Sequence, residues 1–250
     1  MAAGAWNWID RRGQVAIVTG GSQGMGFATV SALAARGMMV AAISRDAGRL
    51  QEAVLALDDD ARSRVITIPA DVSSEDQVIA AVDEVVSTLG RIDVLVNCAG
   101  VSMSARRPFE STTTEEWRRL IDTNLTGTYL MCRTVLPHLK ANGGYILNVL
   151  STAAFRVPPG SGIYAASKFG ARALTEALID EFRDTGIRTT SVSPGATNTT
   201  IWDHKIEPPD ESTRALMIQP GDIAEIFTWL LDRPARLHIP DINVTPWAAA

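Results

Sequence analysis

Buried-strand patterns alternate with helical patterns along nearly the whole chain, and this alternation most constrains the fold. The first apolar run, Val15–Thr19, is continuous and ends at glycines, as in a strand that is buried on both faces. A helical spacing follows over 24–36, and the same order recurs up to a last apolar run at 239–244. This βαβ order with apolar strands predicts a doubly wound parallel sheet that has helices on both faces.

The remaining predicted elements keep this order. Strands are predicted at 38–43, 65–68, 93–97, 145–149 and 187–192, and helices at 24–36, 47–57, 115–139, 164–183 and 222–231. A further helix should begin at Ser73 or Ser74 as N-cap and end at Gly90, and Thr114 is the expected cap of the longest helix. Since no linker or repeat interrupts the pattern, we expect residues 1–250 to form one α/β domain.

The segment 197–220 departs from the pattern. It is long, carries Pro208 and Pro209, mixes charges, and fits neither the helical nor the strand period. Loops of this length in compact domains are usually functional or disordered. We therefore expect a loop or lid on the substrate side.

Composition excludes several classes of function. The net charge of −5 argues against a nucleic-acid binder, because phosphate contacts need a basic face. No apolar run approaches the roughly 18 residues that a membrane span needs, and residues 1–14 do not have the order of a secretion signal. Two cysteines, Cys98 and Cys132, are too few for a disulfide framework or a four-ligand zinc site. We expect a reducing, cytoplasmic setting and no metal.

A glycine-rich loop joins the first strand to the first helix. It reads Thr19-Gly20-Gly21-Ser22-Gln23-Gly24-Met25-Gly26. Glycines let the backbone turn sharply and approach a ligand closely, and the following helix directs free N–H groups at the same place. This combination suits a phosphate group and favours phosphate binding over a merely flexible turn.

The same loop also matches the nucleophile elbow of serine hydrolases. Gly20-Gly21-Ser22-Gln23-Gly24 has the required spacing between a strand and a helix, which leaves open a hydrolase that uses Ser22 and His238. Its position counts against that alternative. A hydrolase elbow needs an oxyanion loop from an earlier strand, and almost no sheet precedes this one.

Together with later motifs, the loop resembles that of the short-chain dehydrogenase/reductase family. The motifs, in family order, are Thr19-Gly20-x-x-x-Gly24-x-Gly26, Asn97-Cys98-Ala99-Gly100, Asn124-Leu125-Thr126-Gly127, Ser151, Tyr164-x-x-x-Lys168 and Pro194-Gly195. The match runs from about 13 to 231. The resemblance implies a Rossmann-type fold and an NAD(P)-dependent oxidoreductase that acts on a carbonyl or a secondary alcohol.

Tyr164 and Lys168 form the centre of the candidate catalytic group. They stand four residues apart on a predicted helix and therefore share one face. A free tyrosine has a pKa of about 10, and a nearby ammonium lowers it, so the pair suits acid–base catalysis. A surface tyrosine over a lysine is the alternative.

The resemblance assigns roles to four residues. It implies that Tyr164 exchanges a proton with the substrate oxygen and that Ser151 hydrogen-bonds this oxygen. It implies that Lys168 lowers the pKa of Tyr164 and holds the nicotinamide ribose. Asn124 would hold a water that links Lys168 to solvent, and a helix-kinking Asn124 bonded only to backbone is the alternative.

The end of the second strand bears on the choice of cofactor. NAD sites usually carry an acidic residue there, but this chain has Ser44 followed by Arg45, whose guanidinium can pair with a 2′-phosphate. We predict NADP, with NAD possible; a solvated Arg45 paired with Asp46 is the alternative. The family resemblance implies cofactor contacts from Thr19, Gly20, Ser22, Gln23, Gly24, Met25, Gly26, Ser44, Arg45, Asp71, Val72, Asn97, Ala99, Gly100, Tyr164, Lys168, Pro194, Gly195, Thr197 and Thr199.

The resemblance also bears on partners. It places the substrate among the loops 101–109, 152–161 and 196–219, whose basic side chains permit an acidic or phosphopantetheine-linked substrate. It implies a homodimer or homotetramer formed by the helices at 115–139 and 164–183; the alternative is that their apolar residues only cover the sheet. A catalytically silent NADP-binding sensor remains the alternative from another class.

Overall fold

Seven parallel strands form one sheet in the computed structural model, which describes residues 10–247 except for the side chain of Asn142. The strands are β1 (Val15–Thr19), β2 (Met39–Ser44), β3 (Val65–Pro69), β4 (Val94–Asn97), β5 (Gly144–Val149), β6 (Ile187–Pro194) and β7 (Asp241–Val244). The predicted parallel sheet is confirmed, with strand boundaries within about two residues. Residues 1–9, which include much of the segment compared with a secretion signal, lie outside the described residues.

Helices cover both faces of the sheet. They are α1 (Gly24–Ala35), α2 (Ala47–Leu55), α3 (Asp59–Arg62), α4 (Glu75–Leu89), α5 (Thr114–Ile121), α6 (Gly127–Asn142), α7 (Gly162–Glu181), α8 (Glu211–Leu216) and α9 (Pro220–Leu231). In β1, Ala16 and Val18 join a core with α1 and α9, whereas Val15 and Ile17 join the core beneath α4 and α6. Burial on both faces explains why the strand is apolar throughout. Between residues 10 and 247, no helix is long and apolar enough to cross a bilayer.

The winding direction of the chain reverses between β1 and β4. The strand order is β3-β2-β1-β4-β5-β6-β7. Strands β1 and β4 are therefore neighbours in the sheet, although β2 and β3 lie between them in the chain. Thr19 pairs with Asn97 at the carboxyl ends of these two strands. In open α/β sheets, ligands bind in the crevice at such a point.

The long helix predicted at 115–139 is observed as a continuous helical stretch over 114–142, but it is not α-helical throughout. α5 ends at Ile121, a π-helical turn occupies Asp122–Thr126, and α6 begins at Gly127. The N-cap is Thr113 rather than Thr114, because the Thr113 hydroxyl accepts a hydrogen bond from the Glu116 amide at 3.1 Å. π-Helical turns inside α-helices are frequent at functional sites.

Signals at the ends of α4 are only partly correct. Ser74 occupies the N-cap, but its side chain makes no capping hydrogen bond. Gly90 ends the helix as predicted, with a φ of +79° that suits glycine.

The segment 197–220 contains short elements that the sequence did not predict. Thr200–Trp202 form a 3₁₀ turn, α8 follows, and Thr197 pairs with Ile218 in an isolated bridge. Asp210 caps α8 by accepting a hydrogen bond from the Thr213 amide at 2.8 Å. A helix of six residues is too short for its periodicity to be recognised.

Candidate active site and cofactor cleft

The glycine-rich loop packs so tightly that side chains are excluded at several positions. Gly20 and Gly24 have φ values of +68° and +54°, which favour glycine. A Cβ at Gly26 would lie only 2.2 Å from the Gly20 oxygen, and one at Gly20 would lie 3.0 Å from the Ala99 nitrogen. Thr19 fixes the same contact, because its Oγ1 accepts a hydrogen bond from the Ala99 amide at 3.1 Å. The loop is therefore held against the end of β4.

A cleft of about 460 Å³ opens at the crevice between β1 and β4. Its volume is in the range typical of ligand sites, and the glycine loop forms one wall. Most residues predicted to contact the cofactor line it, namely Gly20, Ser22, Gln23, Gly24, Met25, Gly26, Ser44, Arg45, Asp71, Val72, Ala99, Gly100 and Thr199.

The other predicted cofactor residues do not line this cleft. They are Thr19, Asn97, Tyr164, Lys168, Pro194, Gly195 and Thr197. Asn97 lies within the sheet, where its amide donates a hydrogen bond to Asn148 Oδ1 at 2.9 Å. Thr197 donates to the Gly195 carbonyl at 3.2 Å and is buried. Both residues therefore make internal contacts near the carboxyl ends of β4 and β6.

Two arginines lie at the end of the cleft next to Ser44. The Arg45 guanidinium is 3.7 Å from the Asp71 carboxylate. Asp46 instead caps α2 through the Arg49 amide at 3.0 Å and lies 3.3 Å from the Arg49 guanidinium. The alternative pairing of Arg45 with Asp46 is therefore wrong. Arg49 also lines the cleft, but the sequence analysis missed it. Its position in the first turn of α2, four residues after Arg45, could have indicated this.

The described structure gives no support to a Ser22 hydrolase. The Ser22 hydroxyl donates a hydrogen bond to the Ser44 hydroxyl at 3.0 Å. His238 Nε2 lies 2.8 Å from the Thr189 carbonyl oxygen instead. In the part of the chain from 10 to 247, no hydrogen bond joins Ser22 to a histidine. A nucleophilic serine needs a base within hydrogen-bond reach.

Asn124, in the π-helical turn, connects the loop after β4 to α7. Its Oδ1 accepts a hydrogen bond from the Val101 amide at 2.8 Å, and its Nδ2 donates to the Val101 carbonyl at 3.0 Å. The same Nδ2 donates to Ser167 Oγ at 3.0 Å. The side chain is 1% exposed, so these contacts satisfy a buried amide. The bonds hold the loop against the helix that carries Tyr164 and Lys168.

Ser151, Tyr164 and Lys168 come together where β5 ends and α7 begins. The Ser151 hydroxyl lies close enough to the Tyr164 phenol to lower its pKa, and it accepts a hydrogen bond from the Ala153 amide at 3.1 Å. The Lys168 ammonium is buried and donates a hydrogen bond to the Val149 carbonyl at 3.1 Å. A Cβ added at Gly100 would lie 3.7 Å from Lys168 Nζ, so the group borders the cleft through Gly100.

Burial dominates the electrostatics of this group. Burial lowers the pKa of Lys168 to about 8, because it penalises the ammonium. Burial raises the pKa of the Tyr164 phenol, and the nearby Ser151 hydroxyl acts in the opposite direction. The expectation that Lys168 lowers the pKa of Tyr164 is therefore wrong, because the pKa of Tyr164 is raised. The ammonium bonds Val149, and desolvation of the phenolate outweighs other influences.

The far end of the cleft is lined by residues that no motif indicated. They are Ser102, Ser104, Arg119, Thr123, Thr200, Ile201 and His204. Ser102, Ser104, Thr200, Ile201 and His204 lie in the loops 101–109 and 196–219 that were expected to hold the substrate, whereas Arg119 on α5 and Thr123 in the π-helical turn do not. Their meeting depends on long-range packing of the 197–220 segment, for which a single sequence holds no signal.

Comparison with known proteins identifies a family. A family model described as short chain dehydrogenase matches residues 14–210. An uncharacterized oxidoreductase of Staphylococcus saprophyticus is 33% identical over 239 residues, which cover 95% of this chain and 99% of that protein. Two similar solved structures each have a TM-score of 0.84 and 29% sequence identity to this chain. Each match covers 94% of this chain and 97% of the other chain. One is an alcohol dehydrogenase of the archaeon Thermococcus sibiricus complexed with 5-hydroxy-NADP. The other is a 3-ketoacyl-(acyl-carrier-protein) reductase of Brucella melitensis complexed with NADH.

Proposed function

Because this chain belongs to the short-chain dehydrogenase family, we propose that it is an oxidoreductase that prefers NADP(H) and interconverts a carbonyl compound with a secondary alcohol. The observation that carries the proposal is the placement of Ser151 beside Tyr164, with the Lys168 ammonium bordering Gly100, next to a cleft built on the glycine-rich loop. Residues 1–250 would act as one domain, with 197–220 as a lid over the substrate.

The cleft fits a dinucleotide. Its glycine wall admits no side chain at Gly20 or Gly26, and the start of α1 offers free N–H groups for a pyrophosphate. Asp71 and Val72 would contact the adenine, and Gly100 would lie toward the nicotinamide. The two similar solved structures are complexed with 5-hydroxy-NADP and with NADH. A bound NADPH supplies the hydride.

The preference for NADP rests on charge at one end of the cleft. Arg45 and Arg49 both line it, and Ser44 occupies the position where a carboxylate would bind a ribose hydroxyl. The Arg45 guanidinium and the Asp71 carboxylate are 3.7 Å apart, which is long for an ion pair. A 2′-phosphate would therefore compete well with Asp71 for Arg45.

Tyr164 holds the proton for the reaction. Burial raises the pKa of its phenol, so at neutral pH the group is a proton donor, as carbonyl reduction requires. Ser151, next to the same phenol, would orient the substrate oxygen. Lys168 would place its ammonium near the ribose and stabilise negative charge on Tyr164 after the proton leaves. Asn124 would position the loop after β4 and hold a water next to Lys168.

The proposal also includes the oligomeric state and the cellular compartment of the protein. Phe169 is 39% exposed on α7, and Ala173 and Ala177 are also exposed on that helix. This supports a homodimer or homotetramer. Both cysteines are free thiols, in keeping with a reducing, cytoplasmic setting.

A carbonyl panel tests the proposed function. Methyl levulinate, cyclohexanone and benzaldehyde are incubated with the protein and either NADPH or NADH, and the alcohol product is quantified. We expect alcohol formation with at least one carbonyl, faster with NADPH at equal concentration. Binding of NADPH without formation of any alcohol would instead support the sensor.

A further inference from the structure

The substrate end of the cleft is polar and basic. Beyond the glycine-rich wall its lining includes Ser102, Ser104, Thr123 and Thr200, together with the Arg119 guanidinium and the His204 imidazole. Asp71 is the one acidic residue among the described residues that line the cleft. It lies near Arg45, at the end of the cleft opposite Arg119 and His204. This lining offers hydrogen-bond donors and positive charge to a substrate.

Two chain segments that are far apart in the sequence bring these groups together. Lys205 donates hydrogen bonds to Ser102 Oγ at 3.0 Å and to the Met103 carbonyl. The Ile206 amide donates to the Ser104 carbonyl at 3.1 Å. The 197–220 segment is thus attached to the loop after β4, which puts His204 at the same rim as Arg119.

The rim carries more positive than negative charge. Burial lowers the pKa of the Lys205 ammonium, and the nearby guanidinium groups of Arg106 and Arg119 lower it further, while Glu116 opposes them. Glu116 also lies 3.6 Å from Arg107. The groups that these interactions join are four cations and one carboxylate.

Arg119 has donors to spare. Within residues 10–247 it makes one hydrogen bond, to the Ser102 carbonyl at 2.8 Å, which holds its side chain at the cleft. A guanidinium has five N–H donors in a planar fork that matches a carboxylate or a phosphate. The bond to Ser102 positions this fork without using it up.

We propose that the substrate of this enzyme carries an anionic group, a carboxylate or a phosphate ester, that binds Arg119 and His204 at the rim of the cleft. The inference rests on the proposed function, because it assigns that end of the cleft to the substrate. Lys205 acts as a positioning residue, since its ammonium is occupied by Ser102 and Met103.

Matched pairs of carbonyl compounds test the inference by binding alone. The protein saturated with NADP⁺, which cannot reduce a ketone, is titrated calorimetrically with levulinate and methyl levulinate, and with dihydroxyacetone phosphate and dihydroxyacetone. We expect at least one anion to bind about 10- to 100-fold more tightly than its neutral partner, the range of one charge-assisted hydrogen bond. The carboxylate and phosphate arms show which anion is preferred.

Arg119→Gln should reduce that preference to about 2-fold while leaving the binding of the neutral partner nearly unchanged. Arg62→Gln is the control: it removes the same charge from an arginine that pairs with Asp59 and does not line the cleft. The control should keep the preference, and raised salt should weaken it in both the control and the unmodified protein.

Equal binding of anionic and neutral partners, or a preference that Arg119→Gln leaves intact, would overturn the inference. Neither of these results would affect the proposed function, as long as any neutral ketone of the carbonyl panel is reduced. Failure to reduce any carbonyl, with anion preference still dependent on Arg119, would instead contradict the proposed reaction and keep the anion site.

Discussion

At the residue scale, the candidate site depends on ionisable groups held away from water. Lys168 is 5% exposed and has a carbonyl rather than a carboxylate as its hydrogen-bond partner. Buried ammonium groups without an acidic partner reduce stability in their charged form. Activity and stability therefore make opposite demands on this position.

Lys168→Met tests this through the pH dependence of stability. The pKa of Lys168 is lowered from 10.5 to about 8 by burial, so between these values the unfolded chain holds more protons than the folded one. Stability of the unmodified protein should therefore rise with pH across this window, by about 3 kcal/mol at most. Urea unfolding at several pH values from about 7 to about 10 should show a flatter profile for Lys168→Met.

The matched control is Lys140→Met, which removes an exposed lysine that lies over the Phe182 ring. Its pH profile should follow that of the unmodified protein. If Lys168→Met and the unmodified protein showed parallel profiles, Lys168 would not be a buried, pKa-shifted group.

Arg45→Ala tests the cofactor preference. Loss of one charge-assisted contact to the 2′-phosphate should weaken NADPH binding about 10- to 100-fold, whereas NADH, which lacks that phosphate, should bind almost as before. Both dissociation constants can be measured by titration of cofactor fluorescence. Arg62→Ala serves as the control for charge, and equal losses for NADPH and NADH would contradict the role of Arg45.

At the element scale, the sequence predicted regular segments well and special contacts poorly. Every strand was found. Inner strands such as β1 and β2 are largely apolar because both faces are buried, whereas the edge strands β3 and β7 are mostly half-buried and have weaker patterns. The π-helical turn was not found, since it depends on Asn124 bonding Val101 and Ser167 from other elements. Likewise, the pairing of Arg45 with Asp71 joins two strand ends and has no local pattern.

The glycine-rich loop offers a test of how α1 is positioned. Gly26→Ala would put a Cβ 2.2 Å from the backbone oxygen of Gly20, so loop and helix must move apart. Overpacking of this kind typically costs about 1–3 kcal/mol. We expect a lower free energy of unfolding and NADPH binding weakened by about 10-fold or more, measured by urea unfolding and calorimetry.

Gly221→Ala is the matched control, because a Cβ at Gly221, in the first turn of α9, would contact nothing within 4 Å. It should leave both measurements within error or raise stability slightly. Unchanged cofactor binding in Gly26→Ala would show that the loop is not the phosphate site.

At the scale of the whole molecule, α7 serves two surfaces. Its buried side packs on the sheet through Ala171 and Leu178, whereas Phe169, Ala173 and Ala177 are exposed. The alternative that these three residues only cover the sheet is therefore wrong. Small exposed residues next to an aromatic ring let two helices approach closely across a two-fold axis.

Light scattering coupled to size exclusion tests the assembly. At micromolar concentration we expect the mass of a dimer or a tetramer of the 26.8 kDa chain. Phe169→Asp should shift the protein toward the mass of one chain, because a carboxylate would be buried at the interface. Leu55→Asp, at an exposed position of α2, should not, and a 26.8 kDa species for the unmodified protein would refute the assembly.

The function of the whole protein rests on Tyr164 as the proton donor. The most direct test compares the rate of alcohol formation by the unmodified protein and by Tyr164→Phe, both saturated with NADPH and given the best carbonyl of the panel. The change keeps the ring and removes the proton, so the rate should fall by about 100-fold or more, with nearly unchanged affinity for NADPH. A Tyr164→Phe variant that reduces the carbonyl as fast as the unmodified protein would contradict the account.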